Sequence, residues 1–406
     1  MGTPQTPYEA VLHAARDVAK LDNALDAEML GAALLGSVYA VAEARRDDAV
    51  REFVGDFLAA TSRRRAPAAI TIRSVFAALV PDAEGADRVR PGTAAPAWSG
   101  QLGRVHLTGC WSYGDVYGDQ TSYLATFAYD DPAGGPEHAL VALVDHNIGI
   151  TKDVFVGGPP ARVLDQIRQM CAGDELTWFR DEAPAHMHAE VTRHLAVTDG
   201  LSELPGEGSL ATDRALVGAR LALLPAGRPA AVRVVEPLTA AERTDLVRRF
   251  LAAPEAARFG LDPIDGAQLA SLHFCLGLLL DHAATFTDPD PLRWSPTVAG
   301  LFLLDWVHRR AVLDMDDAAL LPRVLRAWAA YGGRKRGLPE TATAGTDAAI
   351  EEMVPEFARL YTTGERRSPA TAAVAQLLAD GVDPDDPAAL DAWIEANRHH
   401  LTDDGA

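Results

Sequence analysis

Residues 140–156, LVALVDHNIGITKDVFV, place polar side chains between two apolar runs. Asp145 and His146 end the first run, and Lys152 and Asp153 begin the second. A carboxylate and an imidazole in such a place could hold a divalent metal ion, or act as base and electrostatic anchor for a substrate. Lys152 could stabilise a developing anion. Asp145, His146 and Lys152 are therefore the candidate catalytic residues.

The same residues also suit the tip of a β-hairpin. Turns lie in water, so polar side chains commonly end strands, and Gly149 would relieve the bend of the chain. Asp145 and Lys152 would then pair across the hairpin, and an exposed pair of this kind contributes at most ~1 kcal/mol. The spacing matches no established metal or nucleophile motif, so both interpretations stay open.

A loop rich in aromatic and acidic residues, CWSYGDVYGDQTSY at 110–123, precedes this segment. Glycine-bearing loops between rigid strands commonly carry binding residues, although Gly-Asp pairs are also ordinary turn residues. The candidate substrate-binding residues in it are Trp111, Tyr113, Tyr117 and Gln120. If a divalent metal is bound, Asp119, Asp145 and His146 are its candidate ligands.

The two segments are predicted to lie at one edge of a sheet. Neighbouring strands of an antiparallel meander reverse direction, so the loop at 112–120 and the turn at 147–151 fall at the same edge. Their side chains either converge on a functional site there or form two adjacent turns.

A third group of polar residues lies in APAHMHAEVTRHLAV. His186, Glu190 and His194 follow one another every four residues, which places them on one face of a helix. Three ligands along one straight helix cannot enclose a single ion. The pattern therefore predicts surface histidines.

Two apolar helical segments nearer the C-terminus also carry polar pairs, Asp281 with His282 and Asp305 with His308. A buried Asp or His needs a partner. An Asp–His or Asp–Arg pair between helices, with a structural role, is predicted here.

The secondary-structure elements that position these residues can be predicted from the order of apolar, β-branched and turn-forming residues. Between about 103 and 157, β-branched and aromatic runs separated by short turns predict an antiparallel β-meander. Pro159 and Pro160 open a helix, and two further helical stretches follow near 183–198 and 209–224. The segment 103–224 is therefore predicted to be an α+β domain, a small meander with packed helices.

Helical segments flank this domain. Residues 1–80 show apolar side chains at three- and four-residue spacing and are predicted to be a helical N-terminal segment. Residues 238–398 are predicted to form an all-α domain of six or seven helices, because capping residues and prolines mark the helix starts. Thr239 with Glu242, for example, forms a capping box. The predicted boundaries lie at 81–101 and 225–237.

The composition limits the classes of function. A net charge of −20 disfavours nucleic acid as a partner, because an acidic surface repels phosphate backbones. The small basic cluster at 334–336 does not reverse that field. The chain shows no phosphate-binding loop, dinucleotide fingerprint, nucleophile elbow or zinc-ligand spacing.

Three well-separated cysteines, Cys110, Cys171 and Cys275, form no disulfide or metal pattern and predict the reducing cytoplasm. No apolar run approaches the roughly 20 residues of a membrane helix, so no membrane span is predicted. Arginine supplies nearly all the positive charge, which together with many Ala, Gly and Asp residues indicates a GC-rich bacterial genome.

Two functions are compatible with these observations. The first is a cytosolic bacterial protein-interaction or regulatory component, whose protein partner would carry basic patches. The second is a metal-assisted hydrolase, in which Asp145 acts as ligand or base, His146 and Asp119 act as ligands, and Lys152 stabilises an anion. The sequence predicts no oligomeric state.

Overall fold

The β-branched runs between 103 and 157 form the four strands of the predicted meander in a computed structural model of the chain. The structure describes residues 6–90, 92, 95–206, 208–226, 238–262, 265–286, 289–383 and 386–402. The chain divides into two units, Met1–Arg233 and Val234–Ala406. The first is α+β and the second is helical throughout its described residues, which confirms the predicted fold class.

The first unit opens with helices, as predicted. They are α1 (Pro7–Ala14), α2 (Ala24–Val41), α3 (Arg46–Thr61) and α4 (Pro67–Leu79). The side chains of Thr6 and Asn23 accept backbone N–H groups at the starts of α1 and α2. The β-branched residues of the α4 segment are also compatible with a strand. It is helical because Ile72, Val75 and Phe76 then face the core together.

A five-stranded antiparallel sheet follows in the order β4-β3-β2-β1-β5. Its strands are β1 (Val105–Asp115), β2 (Gln120–Tyr129), β3 (His138–Asp145), β4 (Ile150–Gly157) and β5 (Thr177–Asp181). Strand β5 was not predicted. It pairs with the outer side of β1, where Asp181 faces Trp111.

Side chains alternate between the two faces of the sheet. Tyr123, Ala125 and Phe127 of β2 point to the large core that the N-terminal helices share. Leu124 and Val141 point to the opposite face, where α5 (Pro160–Ala172) covers them. Helices predicted within 1–80 and strands predicted within 103–224 therefore bury their apolar side chains in one core.

Two further helices of this unit, α6 (Pro184–Asp199) and α7 (Leu210–Leu221), pack along β4. Their side chains bind the backbone of that strand on the side away from β3. The backbone N–H of Val156 donates to Asp213 Oδ2 at 2.9 Å, and Ser209 Oγ donates to the Val154 carbonyl at 2.7 Å. The Thr151 N–H donates to Thr198 Oγ1 at 3.0 Å.

A buried ion pair joins α2 to α7. Arg220 Nη2 donates to Glu28 and, at 3.0 Å, to the Tyr129 hydroxyl. Arg220 Nε donates to His138 Nε2 at 3.0 Å, so that ring is held neutral. Burial, followed by the charge of Arg220, lowers the pKa of His138 to about 4. The Gly103 N–H donates to the other oxygen of Glu28 at 2.6 Å.

Among the described residues, α2 alone is long and apolar enough to be considered as a membrane span. Half of the residues in that stretch are buried inside the protein, and core helices of ordinary proteins have the same length and composition. Its Glu28 is fully buried in the ion pair with Arg220. No clear membrane span is therefore found in the described part of the chain.

The second unit consists of helices and short helical turns. They are α8 (Ala240–Leu251), α9 (Pro254–Arg258), α10 (Gly266–Ala283), α11 (Pro296–Leu301), α12 (Val307–Arg310), α13 (Met315–Arg336), α14 (Glu340–Thr363), α15 (Pro369–Ala379) and α16 (Pro387–Thr402). The capping box of Thr239 and Glu242 is confirmed at α8, and Ser295 and Ser368 cap α11 and α15 as expected. Most of the predicted boundary at 225–237 lies outside the described residues.

One turn of π-helix, Phe302–Trp306, connects α11 to α12. The imidazole of His282 lies against its rings, with centroids 5.3 Å from both Phe302 and Trp306. Trp294 and Phe286 complete the cluster at 5.7 and 5.1 Å. Burial, with the charge of Arg293 acting in the same direction, lowers the pKa of His282 to about 4. His282 therefore belongs to the core, but neither ring nitrogen has a hydrogen-bond partner among the described residues, so the Asp–His pair that was one of the predicted alternatives does not form here.

Candidate functional site

The structure brings the two predicted segments together at one edge of the sheet. The His146 N–H donates to the Asp119 carbonyl at 2.9 Å. Gln120 opposes Asp145 in the register of β2 and β3, and its Nε2 donates to Asp145 Oδ2 at 3.0 Å. Because neighbouring antiparallel strands reverse direction, loop and turn meet as the topology required.

The Asp145 carboxylate is occupied by hydrogen bonds of its own turn. Its Oδ1 accepts the Asn147 N–H at 3.0 Å, while its backbone carbonyl accepts the Gly149 N–H at 2.9 Å. Gly149 has a positive φ of 72°, which glycine adopts without strain. Lys152 Nζ is 4.0 Å from Asp145 Oδ2 and half-exposed, so that pair contributes little. These contacts are those of a hairpin tip.

The loop before β2 is closed in the same manner. Asp115 accepts the backbone N–H groups of Asp119 at 3.1 Å and Gln120 at 2.8 Å. Its carbonyl accepts Trp178 Nε1 at 2.9 Å. Asp119 is buried at this edge. Hydrogen bonds to the backbone of the loop therefore hold its conformation, as in ordinary turns formed by Gly and Asp residues.

The predicted substrate-binding residues do not all lie together. Gln120 contacts Asp145, and Tyr117 is buried in the loop. Trp111 and Tyr113 instead pack on the sheet face that α5 covers. The indole of Trp111 lies across Gly109, where an added Cβ would come within 2.0 Å of the ring.

Sequence reasoning missed the neighbours of His146. Its Nε2 is 3.0 Å from Thr121 Oγ1, and its ring centroid is 5.6 Å from that of His194. His194 is only 3% exposed, so the prediction of a surface histidine is wrong for it. Burial lowers its pKa, although the bond of its Nδ1 to the Glu190 carbonyl acts in the opposite direction.

The spacing of His186, Glu190 and His194 was the signal that could have found this contact. His194 at the end of that face is buried against the sheet, whereas His186 at its start is half-exposed, as predicted. At the start of the helix, His186 Nδ1 is 3.2 Å from Glu182 Oε1, and Ser112 Oγ donates to Glu182 Oε2 at 2.8 Å. Polar side chains thus line the seam between α6 and the sheet.

No group of three or more His, Cys, Asp or Glu side chains in the described residues is placed to hold a metal ion. Asp119, Asp145 and His146 do not form such a group. Asp145 accepts one hydrogen bond on each carboxylate oxygen, and the residues that would complete a metal site with it are not placed around one point. The edge offers positioned polar groups, but its carboxylate is not preorganised for metal.

Helix α10 in the second unit presents a different kind of surface. One side of it contributes Leu272, Cys275, Leu276 and Leu279 to the core. The opposite side leaves Leu269 39% and Phe274 40% exposed, with Ala270 and His273 exposed beside them. We call these four residues the α10 face. Leu269 and Phe274 thus lie on the outward side of the helix, where polar residues are usual.

Acidic groups stand at both ends of the α10 face. Asp265 caps the start of the helix, and its carboxylate accepts the Gln268 N–H at 2.9 Å. Near the other end, Asp281 pairs with Arg243 of α8 at 2.6 Å. An Asp–Arg pair between helices was predicted on the ground that Asp281 is buried, but this pair lies at the surface, so that reason was wrong.

Comparisons with known proteins add no name to these features. No protein-family model matches the chain, and no match was found among curated proteins or solved structures. The function must therefore be argued from the chain's own residues.

Proposed function

We propose that the chain is a non-catalytic protein-interaction or regulatory component that docks a partner protein through the α10 face. The observation that carries this proposal is the exposure of Leu269 and Phe274 on a helix whose other side is core. Apolar side chains grouped on one surface commonly mark protein contacts. Fully burying an exposed phenylalanine contributes about 1.5–3 kcal/mol, so covering the 40% of Phe274 that is exposed contributes about 1 kcal/mol.

The charge of the chain indicates the chemistry of the partner. Asp265 stands at the start of the α10 face, the charge of Asp281 is balanced by Arg243, and the whole chain carries a net charge of −20. Complementary charges accelerate encounter and select partners. The partner is therefore expected to offer apolar side chains bordered by lysine or arginine.

Two further observations support a non-catalytic role in a reducing compartment. The Asp145 carboxylate is engaged in the hydrogen bonds of its turn rather than directed at an open site. All three cysteines are free, which supports the bacterial cytoplasm as the location.

The test is affinity capture from a bacterial lysate with three versions of the full chain. Wild type is compared with Phe274→Ser and with a matched control, Leu378→Ser, which removes an equally exposed leucine (44%) from α15. We expect one protein to be retained by wild type and control, lost with Phe274→Ser, and released by added salt. A set of captured proteins that is the same for all three versions contradicts the proposal.

A second candidate is the metal-assisted hydrolase, and one observation favours it. The segments that carry Asp119, Asp145 and His146 do meet at one edge of the sheet. Elemental analysis of untagged protein prepared without chelators tests it, together with Asp145→Ala. Near-stoichiometric Zn, Mn or Fe that is lost in the folded variant would support the hydrolase. Metal content that Asp145→Ala leaves unchanged would refute the assignment.

A further inference from the structure

We propose that the first unit binds a small uncharged amphiphile in a cavity between α6 and α7. The cavity measures about 520 Å³, within the range of small-molecule sites. Helices α2 and α3, the end of α4 and the two residues at 81–82 contribute the other walls. This site is separate from the α10 face and does not depend on the function proposed for it.

The walls of the cavity are predominantly apolar. Leucine and valine side chains from five helices line it, and small residues of α7 leave the space open. The residues that define this surface are Leu35, Leu79, Val80, Leu195, Ala215 and Ala219. An apolar molecule would exchange water for these contacts, which favours binding roughly in proportion to the area covered.

Four polar side chains form one end of the cavity. Arg214 makes a two-point bond to Asp199, with Nε to Oδ1 at 3.1 Å and Nη2 to Oδ2 at 2.6 Å. The Tyr39 hydroxyl donates to Asp199 Oδ1 at 2.6 Å, and Asp47 Oδ1 is 3.1 Å from Arg214 Nη2. Burial raises the pKa of Tyr39, and the Asp199 charge raises it further. The tyrosine therefore stays neutral.

The charges at this end select against anionic ligands. Two carboxylates, Asp47 and Asp199, surround the single guanidinium of Arg214, so its positive charge is already balanced. A ligand carboxylate or phosphate would be repelled at this short range. A neutral hydrogen-bond acceptor would not.

Arg214 keeps one donor directed at the cavity wall. Its Nη1 lies so close to Gly218 that an added Cβ there would be 2.9 Å away. Among the described residues no acceptor bonds this nitrogen. The Arg214 side chain is 12% exposed, so a ligand oxygen in the cavity could reach this donor and accept its hydrogen bond.

The inferred ligand is therefore an uncharged molecule with an apolar body and a carbonyl or hydroxyl group. Nile red, a neutral dye with an aromatic body and one carbonyl, is a suitable probe because its fluorescence rises in apolar surroundings. The experiment titrates Nile red into the full chain. All versions carry Phe274→Ser, so that the exposed α10 face contributes little signal.

Neighbouring residues of α6 provide a matched pair of variants. Ala196 lines the cavity, whereas Val197 is 47% exposed and does not line it. Ala196→Trp should weaken saturable dye binding at least tenfold, and Val197→Trp should leave it unchanged. If circular dichroism shows that Ala196→Trp does not fold, Thr192→Trp replaces it, because Thr192 is another exposed residue that lines the cavity. Equal binding by the blocking and control variants, or no saturable binding by the parent, overturns the proposal.

Discussion

At the scale of single residues, Asp145 is where the catalytic and structural interpretations can be separated. Its two carboxylate oxygens accept bonds from Asn147 and Gln120, while Lys152 stands 4.0 Å away. If the residue is a cap for its turn, the measurable effect of losing it is on stability. The neighbouring lysine should then matter far less.

We expect Asp145→Ala to lower the free energy of unfolding by about 1–2 kcal/mol, because two hydrogen bonds to a charged acceptor are lost. Lys152→Ala should change it by less than about 0.5 kcal/mol, since the pair is exposed and long. Urea unfolding of both variants and wild type measures this. Equal losses in the two variants would show that the ion pair, not the turn, carries the stability.

His282 gives the helical unit a dependence on pH. Burial among aromatic rings lowers its pKa to about 4, below the unfolded value near 6.5. The unfolded chain therefore binds the proton more readily than the folded chain. Stability that is present above pH 6.5 is lost as the pH falls towards 4.

The size of this loss is on the order of 3 kcal/mol for a shift from 6.5 to about 4. We expect His282→Leu to show a shallower decline in the free energy of unfolding between pH 7 and 4 than wild type. His138, His194 and His308 also have lowered pKa values and contribute to the remaining slope in both proteins. Urea unfolding of both proteins at several pH values measures the free energy of unfolding. Identical slopes of this energy against pH would disprove the role of His282.

The sequence predicted part of the candidate edge and missed part of it. The meeting of the loop at 112–120 with the turn at 147–151 follows from strand order alone. The contact of His146 with His194 depends on where α6 crosses the sheet. Tertiary packing determines where α6 crosses the sheet, and no local sequence pattern predicts it.

At the scale of elements, β4 shows how neighbouring helices complete an edge strand. Thr198, Ser209 and Asp213 bond backbone groups that β3 leaves unused. Asp213 is the most constrained of the three, because burial, and to a lesser degree the charge of Asp153, raises its pKa. The fold therefore needs an Asp213 oxygen as a hydrogen-bond acceptor, but it does not need the negative charge of Asp213.

We therefore expect Asp213→Asn and Asp213→Ala to behave differently. Asparagine keeps an acceptor for the Val156 N–H without the charge that burial disfavours. Its free energy of unfolding at pH 7 should stay within about 1 kcal/mol of wild type or rise. Alanine leaves a buried donor unpaired and should cost about 1–3 kcal/mol. Thermal and urea unfolding compare them; equal losses would count against the bond.

Most elements were predictable because their signals are local. Caps such as Thr239 and Ser295 mark helix starts, and β-branched runs mark β1 to β4. Strand β5 was missed because its five residues, TWFRD, lack a clear alternation. It becomes a strand by pairing with β1, which is a long-range contact.

At the scale of the whole molecule, each unit has its own hydrophobic core, and the two cores share no residue. In the first core, the pair of Arg220 and Glu28 connects α2, α7 and the sheet through Tyr129 and His138. Both members of the pair are almost completely buried. Removing one member would leave an uncompensated charge inside the protein.

Arg220→Met should therefore lower the free energy of unfolding by about 3–5 kcal/mol. The double variant Glu28→Gln with Arg220→Met should recover part of this loss, because the stranded charge is gone. Hydrogen exchange should accelerate at 24–41 and not in the second unit. As a control, Arg326→Met breaks a more exposed pair with Asp347 and should cost less. No recovery in the double variant would contradict this account.

The covered outer side of β4 also bears on how copies of the chain meet at high concentration. An uncovered strand offers free backbone groups on which another molecule can add a strand, the first step towards fibrils. Here side chains of α6 and α7 occupy those groups. At the other end of the sheet, β5 is short and carries Arg180 and Asp181, both exposed. The sheet is thus poorly suited as a template for aggregation, and loosening α7 would be the change that makes it one.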